Sequence, residues 1–302
     1  MIGLLHGAWY RGDVLEVLAL MGLFLVPFYR VRSNTLLIAL GVFFLAQPIL
    51  LFQIISALNG AHWANQQPGY WDDVTPQVYL TGHSLWETLK ANATVGHTFK
   101  WLFMYESGRL SQIMGLSLLG LVLGRVRFFR EPERLIGLRF YGLIISGLLA
   151  FVLYHTKDML TGLMPATEAM FMPRSLWGTI LSGWFDVSLM AFMAFGFMSL
   201  YYGLGHRILN LLAPAGRMTL TFYVLQSLIF VPVFYSYGLG LHATMSQTTA
   251  IGIAVIAFIL QVMAAHLWFK KFLYGPLEWL WRAATYLTLK VPFIRQSETK
   301  KA

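Results

Sequence analysis

The chain has no cysteine, which excludes disulfides and thiolate metal sites. Charge is scarce as well: Asp, Glu, Lys and Arg make up 12% of its 302 residues, against about 25% in a soluble domain. There is no H-E-x-x-H, no two histidines lie one helical turn apart, and no Walker loop or dinucleotide fingerprint occurs. His62, His83 and His97 share one loop, but their spacing fits no metal motif. No metal site and no tightly bound cofactor are therefore expected. Also missing are an internal repeat, a low-complexity segment, and an opening basic stretch followed by a small-residue cleavage site.

What fills the chain is apolar: 57% of its residues are hydrophobic. One water-soluble core cannot absorb that surplus, but a bilayer can, since each crossing helix takes roughly 20 mostly apolar residues. The net charge of +9 does not mark a nucleic-acid surface, because the basic residues lie between the apolar runs. They act as topology signals, and the expected partners are membrane lipids, with further copies of the chain if it forms a homo-oligomer.

The fold class expected is all-α, a polytopic transmembrane helix bundle with about seven spans near 14–28, 34–58, 109–125, 140–156, 183–203, 217–238 and 247–269. Arg30 and Arg32, then Arg125, Arg127, Arg130, Arg134 and Arg139, then Arg207 and Arg217, then Lys270, Lys271, Arg282, Lys290, Arg295, Lys300 and Lys301 all fall on one side. That is 16 of the 22 basic residues. Positive-inside bias then puts the C-terminus in the cytoplasm and residues 9–13 outside, in a bacterial inner membrane. An odd span number leaves the N-terminus outside, and Met1–Ala8 has the composition of a helix tail, so a further upstream span is expected. Residues 1–270 form the bundle. Within it, an outer loop at 59–108 carries Trp63, Trp71, Trp86 and Trp101, and a capping box at Ser84–Glu87. Residues 271–302 form a cytoplasmic interfacial helix and tail, opened by Pro276, with Glu278 and Arg282 spaced to pair.

Ionisable groups inside a membrane are costly and become site candidates by default. His6, Arg11, Asp13 and Glu16 gather at the outer end of the first span; Asp13 could simply cap that helix, neutralised by Arg11. His155, Lys157 and Asp158 end the fourth span, and Asp186 lies near the outer end of the fifth. They read either as interfacial snorkelling and caps or as members of one outward-facing cavity with Asp13 and Glu16. On the sixth span Arg217, Thr219, Thr221, Tyr223, Gln226 and Ser227 are polar, and such groups often only bond a neighbouring helix.

Gly216-Arg217-Met218-Thr219-Leu220-Thr221-Phe222-Tyr223-Val224-Leu225-Gln226-Ser227 resembles the G-R-M-A-L-T-N-Y-L-L-Q-S motif of the YeiB-like bacterial membrane proteins. Tyr235–Leu241 also looks like that family, and Tyr274-Gly275-Pro276-Leu277-Glu278-Trp279-Leu280-Trp281-Arg282, with Thr285-Tyr286 after it, is similar to its G-P-L-E-W-L-W-R-x-x-T-Y ending. His6 followed by Gly12-Asp13-Val14-Leu15 resembles its H-x(5–8)-G-D-I-L stretch. Phe222 stands where the family pattern has Asn, Val17-Leu18 where it has Tyr-Ala, and the family's L-x-x-L-R-G-type motif is absent. The resemblance implies a relation to acyltransferase-3-type membrane acyltransferases, or a transporter.

Acyl transfer from a cytoplasmic acyl-thioester donor to an outward-facing lipid or glycan hydroxyl would need a base and charge stabilisation. His6 or His155 would serve as base, oriented by Asp13 or Asp186, with Arg11 or Arg217 stabilising charge. Glu16, Tyr223 and Gln226 are the further candidates for binding substrate. A transporter would instead use Asp13, Glu16 and Asp186 for coupling. A scaffold in envelope assembly would use the polar groups only to join helices.

Overall fold

The computed structural model describes residues 2–131, 133 and 135–295. Arg134, Lys300 and Lys301 of the topology argument lie outside them. The helices are α1 Ile2–Trp9, α2 Leu15–Tyr29, α3 Asn34–Leu45, α4 Pro48–Leu58, α5 Thr75–Thr81, α6 Leu85–Ala91, α7 His97–Glu106, α8 Arg109–Arg125, α9 Ile136–Gly162, α10 Phe171–Leu200, α11 His206–Leu209, α12 Ala213–Gly216, α13 Thr219–Phe234, α14 Gln247–Trp268 and α15 Pro276–Thr285. Among the described residues the only β pairing is an isolated antiparallel bridge between Phe272 and Ile294. The all-α class expected from composition is the one observed.

Among the described residues, three helical stretches are long and apolar enough to cross a membrane: Ile136–Gly162, Glu168–Gly203 and Gln247–Trp268. The number is five if each bent pair, α3 with α4 and His206–Gly216 with α13, makes one span. The two other expected spans correspond to α2 and α8, of 15 and 17 residues, short of the roughly 20 that a straight crossing takes. The apolar side chains of α9 and α14 face outward: Ile145, Leu148 and Phe151 on one, Ile251, Ile256 and Leu260 on the other, are each more than half exposed. Such faces need a lipid environment, and the chain is a membrane protein.

The chain divides into two compact units, 1–74 with 92–203, and 75–91 with 204–302. In the first, α8 packs on α3 and α2, and α10 packs on α9 and α4. Leu37, Met114, Leu118 and Val122 form one buried cluster. Leu50, Ile54, Met172, Leu176 and Ile180 form another. The α3–α8 crossing is close because two glycines meet there. A Cβ on Gly115 would sit 2.8 Å from the Gly41 carbonyl oxygen, the small-residue contact that lets membrane helices approach. Arg125, ending α8, donates to the carbonyls of Tyr29 and Val31 at 2.7 and 2.6 Å. It thereby satisfies acceptors that the end of α2 leaves open.

The expected second span is broken. Pro48 disfavours α geometry in the residue before it, and Gln47 takes the left-handed conformation (φ 58°, ψ 59°). The axes of α3 and α4 differ by 44°. The Trp184 indole N–H donates to the Leu45 carbonyl, opened by the break, at 2.8 Å. Also unlike expectation, α10 begins at Phe171 rather than near 183, because Pro173 falls in its first turn, where a missing N–H costs nothing.

In the second unit, Met218 and Phe222 pack with Ala265 and Phe269. Phe222, in the family's Asn position, is thus a core residue. Thr221 N–H and Oγ1 both donate to the Glu278 carboxylate, at 3.0 and 2.5 Å. The charge sits at the amino end of α13, where a carboxylate is favoured. Glu278 is therefore taken by Thr221, and the Arg282 guanidinium lies instead over the Tyr274 ring at 4.5 Å. Ser84 Oγ accepts from the Glu87 N–H at 3.2 Å, the expected cap of α6.

Candidate functional site

α1 ends in a turn closed by Tyr10 N–H to His6 O (2.7 Å) and Asp13 N–H to Tyr10 O (3.1 Å). That turn folds Asp13 back over α1. His6 Nδ1 and Asp13 Oδ1 are 2.6 Å apart, with side chains 2% and 0% exposed. His6 Nδ1 and the Asp13 carboxyl thus share a buried hydrogen bond that fixes the orientation of the ring. Asp13 therefore does not cap α2, whose N-cap position, Val14, has no side-chain cap.

One turn into α2, Glu16 Oε2 accepts from Lys100 Nζ on α7 at 2.6 Å. The two side chains are 19% and 6% exposed. His97 Nε2, on the same helix, lies 3.6 Å from Glu16 Oε1. The two pairs adjoin at Gly7, where a Cβ would lie 3.5 Å from Lys100 Nζ and 4.0 Å from Asp13 Oδ2. Arg11 pairs with Asp73, and Asn92 Nδ2 donates to the Ala8 carbonyl at 3.1 Å. The result is a cluster of two carboxylates, two imidazoles and one ammonium, buried at His6, Asp13 and Lys100 and partly exposed at Glu16 and His97. It can hold and pass a proton, and it carries a cation beside a carboxylate-oriented imidazole.

His6, Asp13 and Glu16 are thus brought together, with Arg11 alongside. The other sequence candidates stand elsewhere. Asp186 faces Arg109 at 3.6 Å. His155 is exposed on α9 against the rings of Phe151 and Tyr154. The contacts of Asp186 and His155 are thus with Arg109 and with two neighbouring rings rather than with one another. In the second unit Arg217 lies over the Phe269 ring (4.1 Å) and donates to the Leu273 carbonyl (3.1 Å). Gln226 donates to Gln261 at 2.9 Å, an α13–α14 contact, and Tyr223 is on the same helix. Sequence reasoning passed over Lys100, His97 and Asp73 by treating 59–108 as an interfacial loop. The signal for Lys100 was a lone lysine inside the apolar run Phe99–Met104.

The arrangement is that of an all-helical membrane protein with a buried ionic cluster. The family model described as "Protein of unknown function (DUF418)" matches residues 123–288, more than half of the chain. The chain belongs to this family. It is 29% identical over 297 residues to the uncharacterized protein YxaH of Bacillus subtilis (strain 168), covering 92% of this chain and 67% of the relative. It is 36% identical over 99 residues to the uncharacterized protein YeiB of Escherichia coli (strain K12), covering 31% of this chain and 25% of YeiB. A 39.9 kDa protein from the amylase 3' region of Bacillus acidopullulyticus is 30% identical over 95 residues, covering 32% and 27%. The chain thus spans two thirds of the first relative and about a quarter of the other two. No solved structure matches. The His6 cluster lies outside the stretch matched by the family model.

Proposed function

We propose that this is a multi-pass protein of the bacterial cytoplasmic membrane that moves an acyl group from a thioester donor to the hydroxyl of an outward-facing lipid or glycan. The observation that supports this is the buried His6–Asp13 pair at 2.6 Å. A base for this chemistry needs a fixed tautomer and a fixed orientation, and a carboxylate on Nδ1 supplies both. His6 Nε2 takes the proton of the acceptor hydroxyl as its oxygen bonds to the thioester carbonyl carbon. The tetrahedral intermediate then collapses, the C–S bond breaks, and the same nitrogen returns the proton to the leaving thiolate. Asp13 offsets the imidazolium between those events. Lys100, neutralising Glu16, keeps the site from carrying several uncompensated negative charges. Positive-inside orientation with seven spans would place this cluster in the outer half of the membrane, where the acceptor waits.

The test compares acyl groups on envelope lipids and exported glycans by mass spectrometry. Strains would carry a gene deletion, the intact gene, or the His6→Gln or Asp13→Ala forms. An ester that disappears in the deletion and in both variants, with each variant present in the membrane at normal level, supports the reading. Identical profiles in all strains refute it for that host.

A further inference from the structure

Beside Arg109 and Asp186 the first unit holds an open cavity of about 350 Å³ between α7, α8 and α10, with Ser107, Gln112, Thr179 and Gly183 on its walls. That volume is at the small end of the range for ligand sites. Directly behind it lies Gln47, at the break between α3 and α4. Its side chain is completely buried, and neither Oε1 nor Nε2 has a hydrogen-bond partner among the described residues. A buried amide left open costs about 1–3 kcal/mol. This one sits on a non-glycine residue held at positive φ, a backbone conformation that also costs energy and concentrates at binding sites. The amide points at the cavity wall. A Cβ on Gly183 would lie 2.5 Å from Gln47 Nε2 and closer still to Gln112 Nε2, and one on Gly108 would meet Gln47 Oε1.

We infer that this cavity is a binding site for a small neutral polyhydroxylated solute, with the Gln112 amide on its wall and the Gln47 amide directly behind Gly183 as its recognition groups. The class follows from the donors and acceptors available. Ser107 and Thr179 already spend their hydroxyl hydrogens on the carbonyls of Phe103 and Ser175 in their own helices. Toward the cavity they can only accept. The Gln112 amide on the wall and the Gln47 amide behind Gly183 offer N–H donors. A ligand must both donate and accept at several points, which adjacent hydroxyls do. Arg109 and Asp186 stand 3.6 Å apart and are about half exposed, so their charges offset each other and the site asks for no net charge. Tyr70 and Phe103, edge to face at 5.3 Å, line the cavity and supply apolar surface for the carbon skeleton. Irregular backbone at membrane depth is tolerated where it borders such a polar cavity, which accounts for the placement of the break. The inference is independent of the chemistry assigned to His6.

The experiment is equilibrium dialysis of the full chain in lipid nanodiscs against radiolabelled sorbitol, with choline and glycine betaine as charged comparators. Saturable binding of one sorbitol per chain is expected. Gln47→Leu should weaken it by roughly tenfold or more, the equivalent of one or two hydrogen bonds. Gly183→Ala, which favours helix while putting a methyl against both amides, should do the same. Unchanged Tm values would show that both variants fold; if Gln47→Leu does not, Gly183→Ala carries the test. Three outcomes overturn the inference. One is binding that does not saturate, as when a polyol acts only as an osmolyte. Another is preference for glycine betaine or choline. The third is sorbitol binding absent from the wild type while Gln47→Leu is more stable, which would mean that the amide serves only an ordered water.

Discussion

The Glu16–Lys100 pair offers the most direct test of the buried cluster. At 2.6 Å and an effective dielectric of about 20, two unit charges attract by about 6 kcal/mol. Most of that is offset by the desolvation of both ions, several kcal/mol each, so replacing the whole pair by neutral groups should change stability little. Removing one partner is different, because the other charge stays behind, with only 6% of Lys100 or 19% of Glu16 exposed to recover hydration. Lys100→Met and Glu16→Gln should each destabilise by about 3–5 kcal/mol, the usual cost of orphaning a buried charge. The double variant should cost far less than their sum, leaving a coupling energy of about 5 kcal/mol or more. The assay is equilibrium unfolding of the full chain in detergent. It can be followed by tryptophan fluorescence, because Trp101 adjoins Lys100 and packs on the Val17–Met21–Met104 cluster. A coupling energy below about 0.5 kcal/mol would put the pair in the solvent-screened regime. It would also refute the burial of the Glu16–Lys100 contact between α2 and α7.

Asp13→Asn should keep the fold but cut acyl product by about 10²–10⁴-fold, since an amide on Nδ1 no longer fixes the base tautomer; wild-type ester levels by mass spectrometry would contradict this. Gly115→Ala should destabilise by about 1–3 kcal/mol, because the methyl meets the Gly41 carbonyl at 2.8 Å and backbone cannot yield as a side chain can. Unfolding at wild-type denaturant would show that the α3–α8 crossing is looser than described. Glu278→Gln and Thr221→Val should each cost about 1–2 kcal/mol, and the double variant little more than either, because both delete the same contact. Additive losses in the same unfolding assay would separate the two residues.

Composition alone made the helical class and the membrane environment legible, because 57% apolar residues leave few other solutions. The cap at Ser84 was readable as well, being local in sequence. Two features were not. The break at Gln47 hides in an apolar run whose one proline reads equally as a tolerated kink, and only the left-handed φ and the unsatisfied amide distinguish it. The partners of Asp13 and Glu16 were obscured for another reason. A cap uses its own helix, and spacing along α2 suggested one, whereas the true partners come from α1 and from α7, 84 residues on from Glu16. Ion pairs between distant segments leave no periodic trace in a sequence.

The two motifs that most resemble the YeiB-like pattern have a structural explanation that involves no chemistry. Gly216–Ser227 and Tyr274–Arg282 lie 57 residues apart at their contact, and Thr221 joins Glu278 across it by two hydrogen bonds. A third runs from the Leu277 N–H to Thr221 Oγ1 at 3.1 Å. Arg217 lies over Phe269 in the same unit, and Phe222 fills its core. Residues used in this way are needed whether or not the protein is a catalyst, since each leaves a buried polar group exposed to loss if its partner goes. The ionisable cluster around His6 and the open amide of Gln47 have no such packing account. Whole pairs, His6 with Asp13 or Glu16 with Lys100, could be replaced by apolar residues at little cost, and a leucine at Gln47 would remove an unsatisfied amide. Groups that cost stability where they stand are the ones for which a function has to be sought. Both sets lie in the first unit, and the search for activity belongs there rather than in the motifs that identify the family.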